Sequence, residues 1–410
     1  MRISIYTLTS SLHDQDSVDE TSKEFLSGIE TELGQDLVFR GADFSTYGQG
    51  GLDLVFVRTG GSEGIFRQVF PQLEGDILLL TSGKSNSLAA SMEILSFLNR
   101  QGREGEILHG DAGYIAGRIR LLAQVRSARE KLRSTRLGII GQPSDWLISS
   151  SFDRDAVNAK TGIELVDIPI KALLEEYGAL SGENPSLPDE AEKVRMALET
   201  SAPELSAKYA EGAFRLYRAL KNIIKRERLS GLTLRCFDLL DAIGNTGCLA
   251  LALLNAEGLP AGCEGDVPTL LTMTVGKALT GFCGFQANPS RINPRTGEIL
   301  MAHCTIPLDM VYDYSFNTHF ESGIGVAIHG KMKEGPVTVC KLSGDLSRSF
   351  CAAARLVKNQ YEAQLCRTQI SLETRPELCS GYFLSSPIGN HHVVLPGDCS
   401  AAFEAFVRSL

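Results

Sequence analysis

A chain of 410 residues, 43% of them apolar, has material for a large buried core and two or three domains, which excludes a single small module. Its formal charge of −9, from 49 acidic and 40 basic residues, excludes phosphate-backbone binding as the main task, because nucleic-acid binders carry a basic footprint. No run approaches the roughly 18 uninterrupted apolar residues of a membrane span, and Met1-Arg2-Ile3-Ser4-Ile5-Tyr6 is too briefly apolar for a secretory signal, so a cytoplasmic protein with no membrane partner is expected.

Residues 1–134 alternate strand and helix signals in the manner of a doubly wound parallel sheet. Strands are predicted over 2–8, over 52–58, which runs into Thr59-Gly60-Gly61-Ser62-Glu63-Gly64, and over 76–81, which runs into Ser82-Gly83-Lys84-Ser85-Asn86-Ser87 before a helix over 88–101. Both turns follow strands, where ligands bind in open α/β sheets. The second lacks the preceding glycine of a phosphate-binding loop, so it reads as a tight turn with Ser85 or Ser87 capping the helix, or as a place where Ser85, Asn86 and Ser87 meet sugar hydroxyls. A basic amphipathic helix over 115–133 closes this domain.

Residues 135–283 restart the α/β rhythm. A strand over 137–141 leads into Gln142-Pro143-Ser144-Asp145-Trp146, where an incomplete glycine fingerprint and Pro143 argue against a dinucleotide. A strand over 162–168, a linker over 183–190 containing Pro185 and Pro188, helical sequence over 191–229 and a strand over 233–240 follow. An apolar helix over 246–259 and a helix after Pro268, with apolar residues at 270, 271, 275, 278 and 279, complete the domain. Residues 284–410 change character: short segments over 299–306, 323–329, 336–342, 366–372 and 392–395 predict an antiparallel sheet or barrel, closed by a helix over 401–410. All ten cysteines lie between Cys236 and Cys399, scattered singly with no C-x-x-C pair, which suits reduced, mostly buried thiols.

Chemistry concentrates in Cys263-Glu264-Gly265-Asp266-Val267-Pro268, His303-Cys304-Thr305 and Gly389-Asn390-His391-His392. Carboxylate oxygen with imidazole nitrogen, without thiolate, suits Mn²⁺, Mg²⁺ or Fe²⁺ as well as Zn²⁺. Such a site polarises a carbonyl and its neighbouring hydroxyl, as proton shuffling on a sugar requires. Taken alone, Glu-Gly-Asp is more often a solvated turn. Two carboxylates at the mouth of an apolar helix, however, call for a cation, either a metal or an Arg. His303 sits in an apolar strand, the setting of an ordinary core histidine. In extended backbone His391 and His392 face opposite ways, so only one of them serves as a ligand. His319 and Glu321 form either a carboxylate–histidine couple or a salt-bridged strand pair, and Arg367 is either a substrate anchor or half of a buried ion pair.

On these residues the chain resembles the L-fucose and L-arabinose isomerases, particularly their shorter fucose isomerase-like relatives, weakly over most of its length and more specifically over about the last 150 residues. By that resemblance Glu264 is the first metal ligand, and the second ligand position falls on Asn288, where the better-known isomerases have a carboxylate. His303 matches the additional histidine of the arabinose isomerase branch, and His391 or His392 the C-terminal one, with His391 preferred because it follows the Gly-Asn turn. The resemblance implies Mn²⁺, or Mg²⁺ or another divalent cation, and aldose–ketose isomerisation of a small sugar through an enediol. Glu264 would bind the metal and take the proton, and Asp266 or Glu321 would return it. It also implies a homo-oligomer, trimer or hexamer, with sites completed across subunits. Asn288 departs from the pattern: an amide oxygen can coordinate, but it carries no charge and shuttles no proton. That departure keeps open another metal-assisted sugar reaction, an epimerisation or a lyase step, and a sugar-binding protein without turnover.

Overall fold

The apolar runs of the first third become five parallel strands in the computed structural model, which describes residues 1–182 and 187–410. These are β1 (Ile3–Leu8), β2 (Val38–Gly41), β3 (Leu52–Val57), β4 (Ile77–Leu80) and β5 (Gly105–Leu108), in the order β2-β1-β3-β4-β5. Every residue of β1, β3 and β4 is buried, as expected for parallel strands covered on both faces. Alternate side chains divide between two cores. Ile3, Ile5, Leu54 and Phe56 pack with Ile115 and Ile119, while Tyr6, Leu8, Val55 and Val57 pack with Ile94 and Leu98. Residues Met1–Arg126 form one compact unit and Ser127–Leu410 a second.

The second unit begins with four parallel strands, β6 (Arg136–Ile140), β7 (Glu164–Ile168), β8 (Gly231–Leu234) and β9 (Ala261–Cys263), in the order β7-β6-β8-β9. The predicted helical stretch divides into Asp189–Ser201 and Pro203–Glu227, with Pro203 in the first turn of the second helix, where its missing N–H costs nothing. Part of the expected linker, residues 183–186, lies outside the described residues. The strand expected over 233–240 stops at Leu234; Arg235 turns out to meet Asp238, and Asp238–Ile243 is a short helix.

The C-terminal part is a closed six-stranded antiparallel barrel. Its strands are β10 (Phe285–Asn293), β11 (Glu298–His303), β14 (Gly335–Leu342), β15 (Ser349–Gln360), β16 (Thr368–Glu373) and β17 (His392–Pro396), in the order β10-β11-β16-β15-β14-β17. The segment expected over 323–329 forms instead a two-stranded ribbon outside the barrel, β12 (Asp313–Asn317) with β13 (Ala327–Lys331). β10 was hidden by Pro289, which the strand accommodates at an irregularity between Pro289 and Arg291. The architecture is therefore two parallel α/β sheets followed by an antiparallel barrel. All ten cysteines are free, seven of them buried. Among the described residues no helix is long and apolar enough to cross a membrane.

Candidate metal centre

Three carboxyl ends of the second parallel sheet converge on one turn. β9 leads directly into Glu264 and Gly265, both in the left-handed region at φ 63° and 71°, and Asp266 then caps the helix Val267–Thr280 by accepting from the Thr269 N–H at 2.8 Å. A non-glycine residue held at positive φ marks a built feature. Here the loop after β6 explains it. A Cβ on Gly265 would lie 2.5 Å from the Gln142 carbonyl oxygen and 2.8 Å from Pro143 Cα, while the Ser144 N–H donates to the Glu264 carbonyl at 2.9 Å. Glycine at 265 lets the two turns lie against each other.

The turn presents Glu264, 9% exposed, to two buried histidines. His303 ends β11, and His391 immediately precedes β17. Glu264 Oε1 lies 3.4 Å from His391 Nε2 and 3.8 Å from His303 Nε2, and the imidazole centroids are 5.3 Å apart. The other imidazole nitrogens are committed: His303 Nδ1 pairs with Thr305 Oγ1 at 3.0 Å, and His391 Nδ1 with Asp266 Oδ2 at 2.9 Å. His391 Nε2 is buried without a hydrogen-bond partner among the described residues. One donor atom from each of Glu264, His303 and His391 lies within 4.8 Å of the others.

The charges are mutually dependent. Burial pushes the Glu264 carboxyl up, but the facing His303 and His391 imidazoles outweigh it and hold the group well below the carboxylate range. Asp266 is held down in the same way against its burial, by the Lys341 ammonium and by His391. Burial pulls His391 down, yet Asp266 and Glu264 more than offset it and raise it to about 9. Lys341, 1% exposed, sits 3.4 Å from Asp266 Oδ2 and is itself pulled down by burial.

The other expected site residues divide by position. Asp266 is fully buried, with its oxygens engaged by Thr269, His391 and Lys341, a position that orients the His391 imidazole. Asn288 pairs across the sheet with Ala302, the neighbour of His303, and its Oδ1 is buried without a partner. His392 faces the opposite way from His391. It lies among Phe350, Tyr382 and Phe383, with Nε2 against the Tyr382 hydroxyl at 2.9 Å and Nδ1 against the Asn390 carbonyl at 3.1 Å. Glu321 is exposed, outside the group, and His319 pairs not with it but with Ser322 Oγ at 3.0 Å. Among the described residues Arg367 makes no ion pair of the expected kind: it donates to the Thr318 carbonyl at 2.7 Å and lies over the Phe320 ring. Ser85 and Asn86 belong to the first unit, both at positive φ. Neither Ser85 nor Ser87 caps the helix that begins at Ser87: Asn86 occupies the N-cap position, without a side-chain bond, and the Ser87 hydroxyl instead meets Thr81 Oγ1 at 2.7 Å.

Two residues were missed. Trp146, the chain's one tryptophan, donates its indole N–H to Glu264 Oε2 at 2.6 Å. Its signal was its place just after a parallel strand. Lys341 was signalled by a lone cation in the apolar run Val337-Thr338-Val339-Cys340-Lys341-Leu342, which required a buried anion.

These residues fit a divalent ion. A carboxylate oxygen and two imidazole Nε2 atoms fixed by partners at Nδ1, that of His391 without a partner of its own among the described residues, make an oxygen–nitrogen donor set for a borderline cation, with Asn288 Oδ1 as a further unpaired acceptor nearby in the sheet. No family model matches the chain. By comparison with curated proteins the chain is distantly homologous to a sugar isomerase. That relative is the sulfoquinovose isomerase of Clostridium sp. (strain MSTE9), 26% identical over 208 residues, a match spanning 50% of this chain and 44% of the relative.

Proposed function

We propose that this chain is a metal-dependent enzyme of the aldose–ketose isomerase type, acting on a small sugar. The observation that carries the reading is the buried Glu264, His303 and His391 group, in which His391 Nε2 has no partner but faces Glu264 Oε1 at 3.4 Å. Distant homology to a sugar isomerase supports the same class. A divalent ion bound there supplies charge stabilisation for the enediolate oxygens of an isomerising sugar. The protein's part is to hold that charge in place. Glu264, His303 and His391 offer one atom each, Thr305 and Asp266 fix the two imidazole orientations, and Lys341 neutralises Asp266. Glu264 Oε2, shared with the Trp146 N–H, is the carboxylate oxygen left to move a proton between the two sugar carbons. Assembly as a trimer or hexamer belongs to the same reading.

The test is a screen of aldoses with Mn²⁺, including L-fucose, L-arabinose and sulfoquinovose, read out by ketose formation. Turnover of an aldose that is abolished by chelator and by Glu264→Gln supports the reading; metal-independent turnover overturns it. A second reading, a sugar-binding protein without turnover or one with a different metal-assisted step, is favoured by Asn288, which removes a carboxylate from the sheet position beside His303. Asn288→Asp separates the two. Tighter Mn²⁺ binding with new or increased isomerisation favours the enzyme, whereas unchanged metal affinity with simple destabilisation makes Asn288 a strand residue before Pro289 and nothing more.

A further inference from the structure

We propose that Trp146 is the positioning residue for Glu264 and also the platform against which the apolar face of the sugar rests, an inference that rests on the sugar reading above. Trp146 is 50% exposed, although its indole N–H reaches a carboxylate that is 9% exposed. The ring therefore spans from the buried group to the surface, with one edge fixed and part of its surface open. Its neighbour on one side is Phe237, edge-on at 4.8 Å, and Phe237 in turn meets His319 at 5.6 Å, so the indole is the first of three rings in edge-on contact.

The ring is placed by construction. The loop that carries it is laid on the Glu264–Gly265 turn by the Ser144 N–H and by the absence of a side chain at 265, and Leu147 N–H closes a turn on the Ser144 carbonyl at 2.9 Å. Arg235 clamps the loop from the next strand end, donating to the Pro143 carbonyl at 2.7 Å and pairing with Asp145 at 2.9 Å while its Nε holds Asp238. A surface tryptophan needs none of this merely to be tolerated.

Two consequences follow from chemistry. A hydrogen bond at Oε2 fixes the carboxylate rotamer and leaves Oε1, the oxygen facing both histidines, as the one presented to a cation. A half-open indole offers a large, rigid apolar face at low entropy cost, suited to the C–H side of a sugar ring while the polar groups take its hydroxyls.

Because the chain holds one tryptophan, its emission reports on this ring alone. In the intact protein, Mn²⁺ titration is expected to change the emission with the same midpoint as Mn²⁺ binding measured by calorimetry, and a turned-over aldose to change it again. Trp146→Phe keeps a ring but loses the N–H, and is expected to weaken Mn²⁺ about tenfold while leaving sugar affinity within about threefold. Trp146→Leu loses both and is expected to raise KM or sugar Kd about tenfold more. Urea unfolding of both variants without metal separates these effects from loss of fold. Saturable Mn²⁺ binding with silent emission and wild-type affinity in Trp146→Phe overturns the positioning role. Wild-type sugar affinity in a folded Trp146→Leu overturns the platform. In both cases the metal–sugar reading survives, whereas wild-type protein that binds neither a divalent ion nor any aldose sinks that reading and this proposal together.

Discussion

Lys341 Nζ lies 3.4 Å from Asp266 Oδ2 and 2.5 Å from Thr269 Oγ1, in a place where neither charge reaches solvent. Removing one member of such a pair leaves the other charge uncompensated, so Lys341→Met is expected to cost about 3–5 kcal/mol in urea unfolding. A loss under about 1 kcal/mol would mean that His391 and the Thr269 N–H satisfy Asp266 alone. His392 is the residue whose ionisation opposes folding. Burial and then the Lys341 charge depress it to about 3. The unfolded chain therefore binds a proton below about pH 6.5 that the folded chain refuses, and stability falls with pH from there down to about 3. By pH 5 this one group removes about 2 kcal/mol. His392→Gln keeps an acceptor for the Tyr382 hydroxyl, and should flatten the loss between pH 6.5 and 5 in equilibrium unfolding. An unchanged slope would show that other groups drive the acid sensitivity.

At the scale of elements, the decisive contact is between the loop after β6 and the turn after β9. Gly265→Ala combines a positive φ with a Cβ 2.5 Å from the Gln142 carbonyl, a backbone atom that cannot swing aside. Gly281, which ends the helix Val267–Thr280 at φ 88°, has nothing within 4 Å of its Cβ position and supplies the control. Gly281→Ala should cost about 1 kcal/mol of backbone strain. Gly265→Ala should cost at least about 2 kcal/mol more and shift Trp146 emission, because the 142–146 loop must move. Equal losses in the two variants would mean that the loop yields freely. Both elements were predicted from sequence, as a strand end before Gln142 and a turn before Pro268. Their mutual contact was not, because 118 residues separate Trp146 from Glu264 and no local pattern encodes that approach.

At the scale of the whole molecule, the candidate centre lies entirely within residues 127–410, drawing on a parallel-strand end and on two barrel strands. A divalent ion that binds only the folded state should raise the melting temperature, through about 2.7 kcal/mol at 100 times its dissociation constant. The pH dependence of that shift is signed. With chelator present, His391, raised to about 9, lends stability that is full below about pH 6.5 and is lost as pH rises through about 9. Metal must displace that proton, so Mn²⁺ affinity should climb over the same interval, with proton release measurable by calorimetry in buffers of different ionisation enthalpy. Pronounced stabilisation by Mn²⁺ with no proton release near pH 7 would place His391 outside the metal site.

Period and composition alone determined the layer plan, because buried parallel strands write continuous apolar runs and barrel strands write short alternating ones. They also determined the candidate chemistry, since carboxylates beside an apolar helix and histidines in apolar strands carry a desolvation cost that something must offset. What only the tertiary structure decided was which of those groups meet. It separated His391 from His392 by placing one against Asp266 and the other among Phe350, Tyr382 and Phe383. It set Asp266 against His391, left Glu321 in solvent and Arg367 on a backbone carbonyl, and brought in Trp146 and Lys341. The physical reason is that burial and periodicity are local averages over a segment. A site is a set of directions, set by strand order, barrel closure and the left-handed turn at Glu264 and Gly265 that aims one carboxylate at two distant strands.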